Sequence, residues 1–180
     1  MVEVGVAHGR FQILHNDHLK YLLETKKRCR HMIVGITNPD PTLTKHDKTD
    51  PHRSSEKANP LTYYERLVMI REALLEAGLK RGEFSIVPFP VNFPELYKYY
   101  IPTDATFFLT IYDSWGVRKK EMLESAGLKV KVLWRKPLSE KGITSSGIRR
   151  LITSEQPWRD LVPASTFNFL QQKKIIGRLR

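Results

Sequence analysis

His15 and His18 stand three residues apart at the head of a helix-like run, Leu19 to Arg30, directly after Gly9-Arg10-Phe11-Gln12-Ile13-Leu14. An apolar, β-branched run, Val2 to Ala7, precedes that segment. A strand that turns through glycine into a helix gathers unpaired backbone N–H groups and the positive end of a helix dipole at one place. Imidazoles at i and i+3 on the first turn point the same way. This combination suits a polyphosphate, and imidazolium there would stabilise charge building on a pentacoordinate phosphorus. The pair could also ligate a metal, with His8 as a candidate third ligand, but phosphate contact is the preferred reading.

A second segment, Ile143-Thr144-Ser145-Ser146-Gly147-Ile148-Arg149, repeats the arrangement far along the chain. Thr144, Ser145 and Ser146 supply hydroxyls and N–H groups at another helix start, with Ser145 or Thr144 as N-cap. Arg149 follows Ser145 by four residues and shares its helical face. One such segment reads equally well as a capped helix with a surface arginine. Two of them, a domain length apart, point to one anion site built from both. Gly9 is expected to allow close backbone approach to phosphate or a turn with positive φ. Arg10 can hold a phosphate bidentately, and Phe11 packs beneath the turn.

The elements that must position these groups alternate between strand and helix. Val2–Ala7, His31–Ile36, Phe84–Val87, Thr106–Ile111 and Lys129–Trp134 read as strands, each buried on both faces. Between and after them lie helices over 16–30, from Thr62-Tyr63-Tyr64-Glu65 (a Thr-x-x-Glu capping box) to a stop near Gly78, over Ser114–Ala126 and over Ser145–Thr153. Glu95–Tyr100 reads as a short helix, and Pro157–Leu170 as a helical C-terminal element. This alternation implies a parallel sheet with right-handed crossovers and helices on both faces. Ligands in such sheets bind beyond the carboxyl ends of the strands, where Gly9–His18 falls. The expected organisation is an α/β domain over 1–155 and a helical extension with a basic tail over 156–180, packed on the same domain.

Thr37–Pro60 interrupts the rhythm with Pro39, Pro41, Pro51 and Pro60, and is expected to be a mobile lid or binding loop. Its Lys45, His46, Lys48, His52, Arg53 and Lys57 could close over an anionic acceptor or simply be solvated. The net charge of +11, over 180 residues, points to anionic partners. Apolar runs fall short of the ~20 residues that span a bilayer, and no signal-peptide pattern opens the sequence. The single cysteine, Cys29, excludes an intrachain disulfide and a multi-cysteine zinc site, so a reducing cytoplasm is the expected setting. Its basic neighbours could lower the thiol pKa, although a small residue near a helix end is the plainer reading.

Gly-Arg-Phe-Gln-x-x-His-x-x-His, Asn59-Pro60-Leu61-Thr62-x-x-Glu65-Arg66 and Ile-Thr-Ser-Ser-Gly-Ile-Arg together resemble the HxGH-type nucleotidyltransferase superfamily, most closely its archaeal-type nicotinamide mononucleotide adenylyltransferases. The resemblance runs from about Val4 to Ile152. It implies a Rossmann-like α/β fold with a parallel sheet of five or six strands. It implies transfer of AMP from ATP to nicotinamide mononucleotide, giving NAD and pyrophosphate. His15, His18 and Arg149 would act on the phosphates, with Gly9, Arg10, Phe11, Thr144, Ser145 and Ser146 binding the nucleotide. Asn92, Phe93 and Tyr97 would meet the acceptor, and Arg118 or Lys119 its phosphate. Mg²⁺ is expected to be held by substrate oxygens and water rather than by a protein metal site, and a homo-oligomer is the expected assembly.

Two positions depart from the pattern. Asp17 replaces the glycine between the histidines, and Ile13 a common proline. Asp17 could favour the helix start, repel a triphosphate or help hold Mg²⁺. The alternatives are a cytidylyltransferase, or an adenylyltransferase for nicotinate mononucleotide or a sugar or alcohol phosphate. A non-catalytic module binding nucleotide or nucleic acid ranks last, because the aromatics are not interleaved with Lys and Arg.

Overall fold

The computed structural model describes residues 1–44, 55, 58–172 and 175–179. The basic set of the long connection, Lys45 to Lys57, and Lys173, Lys174 and Arg180 of the tail lie outside the described residues. Within the described residues, β1 (Val2–Gly9), β2 (Cys29–Ile36), β3 (Phe84–Pro88), β4 (Thr106–Ile111) and β5 (Lys129–Arg135) form one parallel sheet of five strands, ordered β3-β2-β1-β4-β5. Six helices accompany it: α1 (Asn16–Lys26), α2 (Tyr63–Glu76), α3 (Ser114–Ser125), α4 (Ser145–Thr153), α5 (Ala164–Gln172) and α6 (Ile176–Leu179). This is the Rossmann-like α/β architecture.

Strand periodicity divides the core in two. Along β2, Met32, Val34 and Ile36 face a cluster that includes Leu22, Met69, Ile70 and Ile148, from α1, α2 and α4. Ile33 faces the opposite cluster with Val6, Phe107, Leu109 and Leu123. Alternate side chains of a strand point to opposite faces, so both faces are covered only where both sets are apolar. The edge strand β5 departs from the expected burial: Lys129, Lys131, Val132 and Arg135 are exposed, and charged side chains on an edge discourage pairing with another chain.

Helix α1 ends at Lys26, four residues before the expected Arg30, and β2 begins at Cys29. Cys29 is fully buried, and burial pushes its thiol pKa up despite Lys26 nearby. That reverses the expectation from its basic neighbours. Gly5 explains the close approach: a Cβ there would lie 2.8 Å from both Cβ and Sγ of Cys29. The capping box of α2 forms as read, with Thr62 Oγ1 accepting from Glu65 N–H at 3.2 Å and Glu65 Oε2 accepting from Thr62 N–H at 2.9 Å. Helix α5 docks on the end of α2, where the Glu76 carboxylate accepts from the Ala164 and Ser165 N–H groups at 3.1 and 2.8 Å.

The order of strands reverses at β1. Its pairing to β4 covers Gly5↔Thr106 and Val6↔Phe107, whereas its pairing to β2 runs on to Gly9↔Ile36. Beyond Val6 the buried Tyr21 hydroxyl takes over. It accepts from His8 N–H at 3.1 Å and donates to Phe108 C=O at 2.6 Å. One side-chain oxygen thus satisfies two backbone groups that separating strands would otherwise leave unpaired, and the sheet opens a cleft there.

Candidate active site

The cleft is a cavity of about 370 Å³ above the carboxyl ends of β1 and β4. Three helix starts line it: His15 at α1, Asp113 to Gly116 at α3, and Thr144 to Ser146 at α4. Each brings the partial positive charge of unpaired amides, so the cavity favours anions before any side chain is counted.

The segments of the sequence pattern converge here. Ser145 Oγ donates to the Ile13 carbonyl at 2.8 Å across a separation of 132 residues. The Arg149 guanidinium donates to the Gln12 carbonyl. The buried Gln12 amide then clamps Leu61, donating to its carbonyl at 3.2 Å and accepting from its N–H at 2.9 Å. Arg66, 1% exposed, donates to Arg10, Thr37 and Asn38 carbonyls at 3.0, 2.8 and 2.8 Å. Phe11 and Asn38 hold positive φ, +51° and +49°. Bulky residues adopt that region only where surroundings impose it, and Arg66 ties down the carbonyls beside both.

His15 caps α1, its Nδ1 accepting from His18 N–H at 3.4 Å. Acceptance at Nδ1 places the proton of the neutral ring on Nε2. The His15 and His18 rings stack at 3.7 Å, with Phe11 against the edge of His18 at 5.0 Å. Burial, reinforced by Lys141, holds the His15 pKa at about 4. Burial and then the neighbouring His15 hold His18 well below its usual range. Both shifts favour neutral rings in the free protein, and the His15 tautomer leaves its Nε2–H as a donor.

Of the residues singled out from sequence, Gly9, Arg10, Phe11, His15, His18, Asn92, Thr144, Ser145 and Ser146 line the cavity. Four do not. Arg149 braces Gln12 instead. Tyr97 is 2% exposed, packs on Phe89 and donates to the Val91 carbonyl at 2.5 Å, a core position where it cannot stack on a ligand ring. Phe93 lies half-buried outside the wall, and Arg118 is exposed with its guanidinium 5.9 Å from the Trp115 ring. Gly9 has no positive φ. Its missing side chain is required instead by the Phe11 ring, 3.0 Å from where a Cβ would stand.

After β4 it is Lys119, the alternative to Arg118, that lines the cavity; sequence reading missed the rest of that wall, Tyr112, Asp113 and Trp115, with Trp134 and Lys141. The signal was present in Asp113, whose carboxylate caps α3 by accepting from Gly116 N–H at 2.9 Å: a third strand, N-cap and helix in succession. Among the described residues, no group of three or more His, Cys, Asp or Glu side chains could hold a metal ion, so His8, His15 and His18 form no such trio. No helix among them is long and apolar enough to cross a membrane.

A parallel sheet opened at its switch point, with several helix starts around one cleft, is built to bind phosphate groups, and the relatives of this chain make it an enzyme of the nucleotidyltransferase class. Residues 6–151 match the cytidylyltransferase-like family, and the chain belongs to it. The phosphonoformate cytidylyltransferase of Streptomyces viridochromogenes is 45% identical over 98% of this chain and 95% of its own. The nicotinamide-nucleotide adenylyltransferase of Pyrococcus abyssi is 30% identical over 98% of this chain and 87% of its own. Among solved structures, a bifunctional NMN adenylyltransferase/ADP ribose pyrophosphatase from Francisella tularensis superposes with a TM-score of 0.67 at 14% identity. The match covers 98% of this chain and 52% of that one, and it bears on the fold.

Proposed function

We propose that this protein is a cytidylyltransferase that moves CMP from CTP onto a compact phosphonate acceptor of the phosphonoformate type, releasing pyrophosphate. The observation that carries this reading is the 45% identity to a phosphonoformate cytidylyltransferase, spread over nearly the whole chain. The burial of Tyr97, which the resemblance placed beside a pyridine-nucleotide acceptor, supports the same assignment.

In the reaction, a phosphonate oxygen of the acceptor attacks the α-phosphorus of CTP in line. A new P–O–P linkage forms, the α–β bridging bond breaks, and its electron pair leaves on pyrophosphate. No side-chain nucleophile is needed; positioning and charge stabilisation suffice. His15 Nε2–H and the amides at the α1 start donate to the triphosphate from one side. The Thr144–Ser146 segment donates from the other. Lys141 lines the cavity and is close enough to His15 and His18 to depress both, which puts its charge where the triphosphate would lie. A divalent ion on the triphosphate oxygens would neutralise further charge, and Asp17 is the lining carboxylate placed to meet it, since Asp113 caps α3.

The test is a matrix of CTP and ATP against phosphonoformate and nicotinamide mononucleotide, read by pyrophosphate release and product mass. CTP with phosphonoformate should give the highest kcat/KM. A higher value for ATP with nicotinamide mononucleotide would replace this assignment with the adenylyl reaction implied by the motifs.

A further inference from the structure

The His8 side chain takes no part in the proposed reaction. It lies at the end of β1 on the face shared with Val6, between the edges of Phe89 and Phe107 at ring distances of 5.2 and 6.2 Å. It is 4% exposed and lines the cavity. Neither Nδ1 nor Nε2 has a hydrogen-bond partner among the described residues. An aliphatic side chain would pack there without the cost of burying two polar ring atoms, and buried polar groups in proteins are almost always paired.

Its surroundings differ from those of the other two histidines. Lys141 acts on His15 and His18, whereas Lys119, on α3, is the charge that acts on His8. Both lysines line the cavity. Lys141, paired with the Asp113 carboxylate at 3.3 Å, therefore stands toward His15 and His18, and Lys119 toward His8. A triphosphate tail occupies the side of His15 and His18. The side of His8 calls for another anion, with an oxygen that accepts from an imidazole N–H.

Resting on the cytidylyltransferase reading, we infer that His8, with Lys119 beside it, is the specificity-determining subsite that receives the carboxylate of a compact carboxyphosphonate acceptor. The phosphonate is thereby turned toward the CTP α-phosphorus. Neutral His8 donates its one N–H to the carboxylate while Lys119 balances its charge. Asn92, at the same wall, adds an amide.

The experiment measures phosphonoformate binding to the whole protein without nucleotide, by calorimetry and by the ¹⁵N-imidazole NMR signals of His8. The His8 signals should shift saturably in the wild type. His8→Leu should weaken phosphonoformate at least about thirtyfold while leaving CTP affinity within about twofold. His8→Asn, which retains a donor, should recover part of the loss and serves if the leucine variant misfolds. Unmoved His8 signals, no binding by wild type, or equal binding by the variants would overturn the inference. Saturable binding at His8 without any CMP transfer would refute the cytidylyltransferase reading alone and leave the anion subsite standing.

Discussion

Replacing Tyr21 by phenylalanine removes a single oxygen atom, yet that atom joins two strands. The ring stays, so no cavity forms and the apolar burial of a residue 8% exposed is kept. What is lost is the acceptor for His8 N–H at 3.1 Å and the donor to Phe108 C=O at 2.6 Å, both buried. Each backbone group left unsatisfied costs about 1–3 kcal/mol. Partial relaxation and water entry through the cleft reduce the sum, and a net loss of about 2–4 kcal/mol is expected. At roughly 2–4 °C per kcal/mol for a chain of this size, the melting temperature should fall by about 5–15 °C. Urea unfolding would show a lower midpoint with an unchanged slope. The same change loosens the wall carrying His8, so the acceptor KM should rise more than the CTP KM. A stability loss below about 1 kcal/mol, with kinetics unchanged, would refute the argument that this hydroxyl replaces a missing stretch of β1–β4 ladder.

His18→Ala should lower kcat by about 10²–10⁴-fold, as expected for a transition-state donor; a rate within a few fold of wild type would remove His18 from the reaction. Arg66→Met strands the carbonyls of Arg10, Thr37 and Asn38. Because desolvating the guanidinium already costs energy and holds its pKa at about 10, the net loss should be about 2–4 kcal/mol rather than the full sum, measurable by urea unfolding, with Arg66→Lys intermediate. The histidines also make stability depend on pH. His15 titrates at about 4 in the folded chain against 6.5 unfolded, so between those values the unfolded state binds more protons and stability falls as pH is lowered. His15 alone contributes about 3 kcal/mol across that window, and His8 and His18 act in the same direction. His15→Gln should flatten the melting-temperature profile between pH 6.5 and 4; an unchanged profile would contradict the neutral assignment.

What the sequence made legible was local. The α2 start was readable because a capping box is written in four consecutive residues, and the three parts of the site pattern because glycine, hydroxyl and imidazole cluster at helix starts. The end of α1 was harder to read, because no glycine or proline follows Lys26 to mark it. Non-local partners left no sequence mark. Gly5 and Gly35 sit mid-strand because Cys29 and Phe89 approach them closely, each 2.8 Å from where a Cβ would be. Nothing in the sequence showed that Tyr97 would turn inward to Val91, or that Arg149 would spend a donor on Gln12. The wall after β4 was legible only at Lys119, because the role of its other residues depends on β4 lying beside β1. That order comes from the packing of the whole sheet.

The neutral state of the histidines alters the picture of charge in the site. Positive charge comes from Lys119, the helix starts and Lys141, whose ammonium pairs with the Asp113 carboxylate at 3.3 Å, while the imidazoles supply N–H donors. A site of this kind binds anions without first having to take up protons, and it offers donors that strengthen as charge develops on the phosphorus.

The most direct measurement follows the ³¹P NMR spectrum of CTP and phosphonoformate mixed with the protein and Mg²⁺. The CTP signals should disappear, and a new pair of mutually coupled resonances from a CMP–phosphonate linkage should appear with an equal amount of pyrophosphate. CTP and phosphonoformate signals that persist unchanged beside folded protein, or CMP appearing without the coupled pair, would contradict the cytidylyltransferase reading.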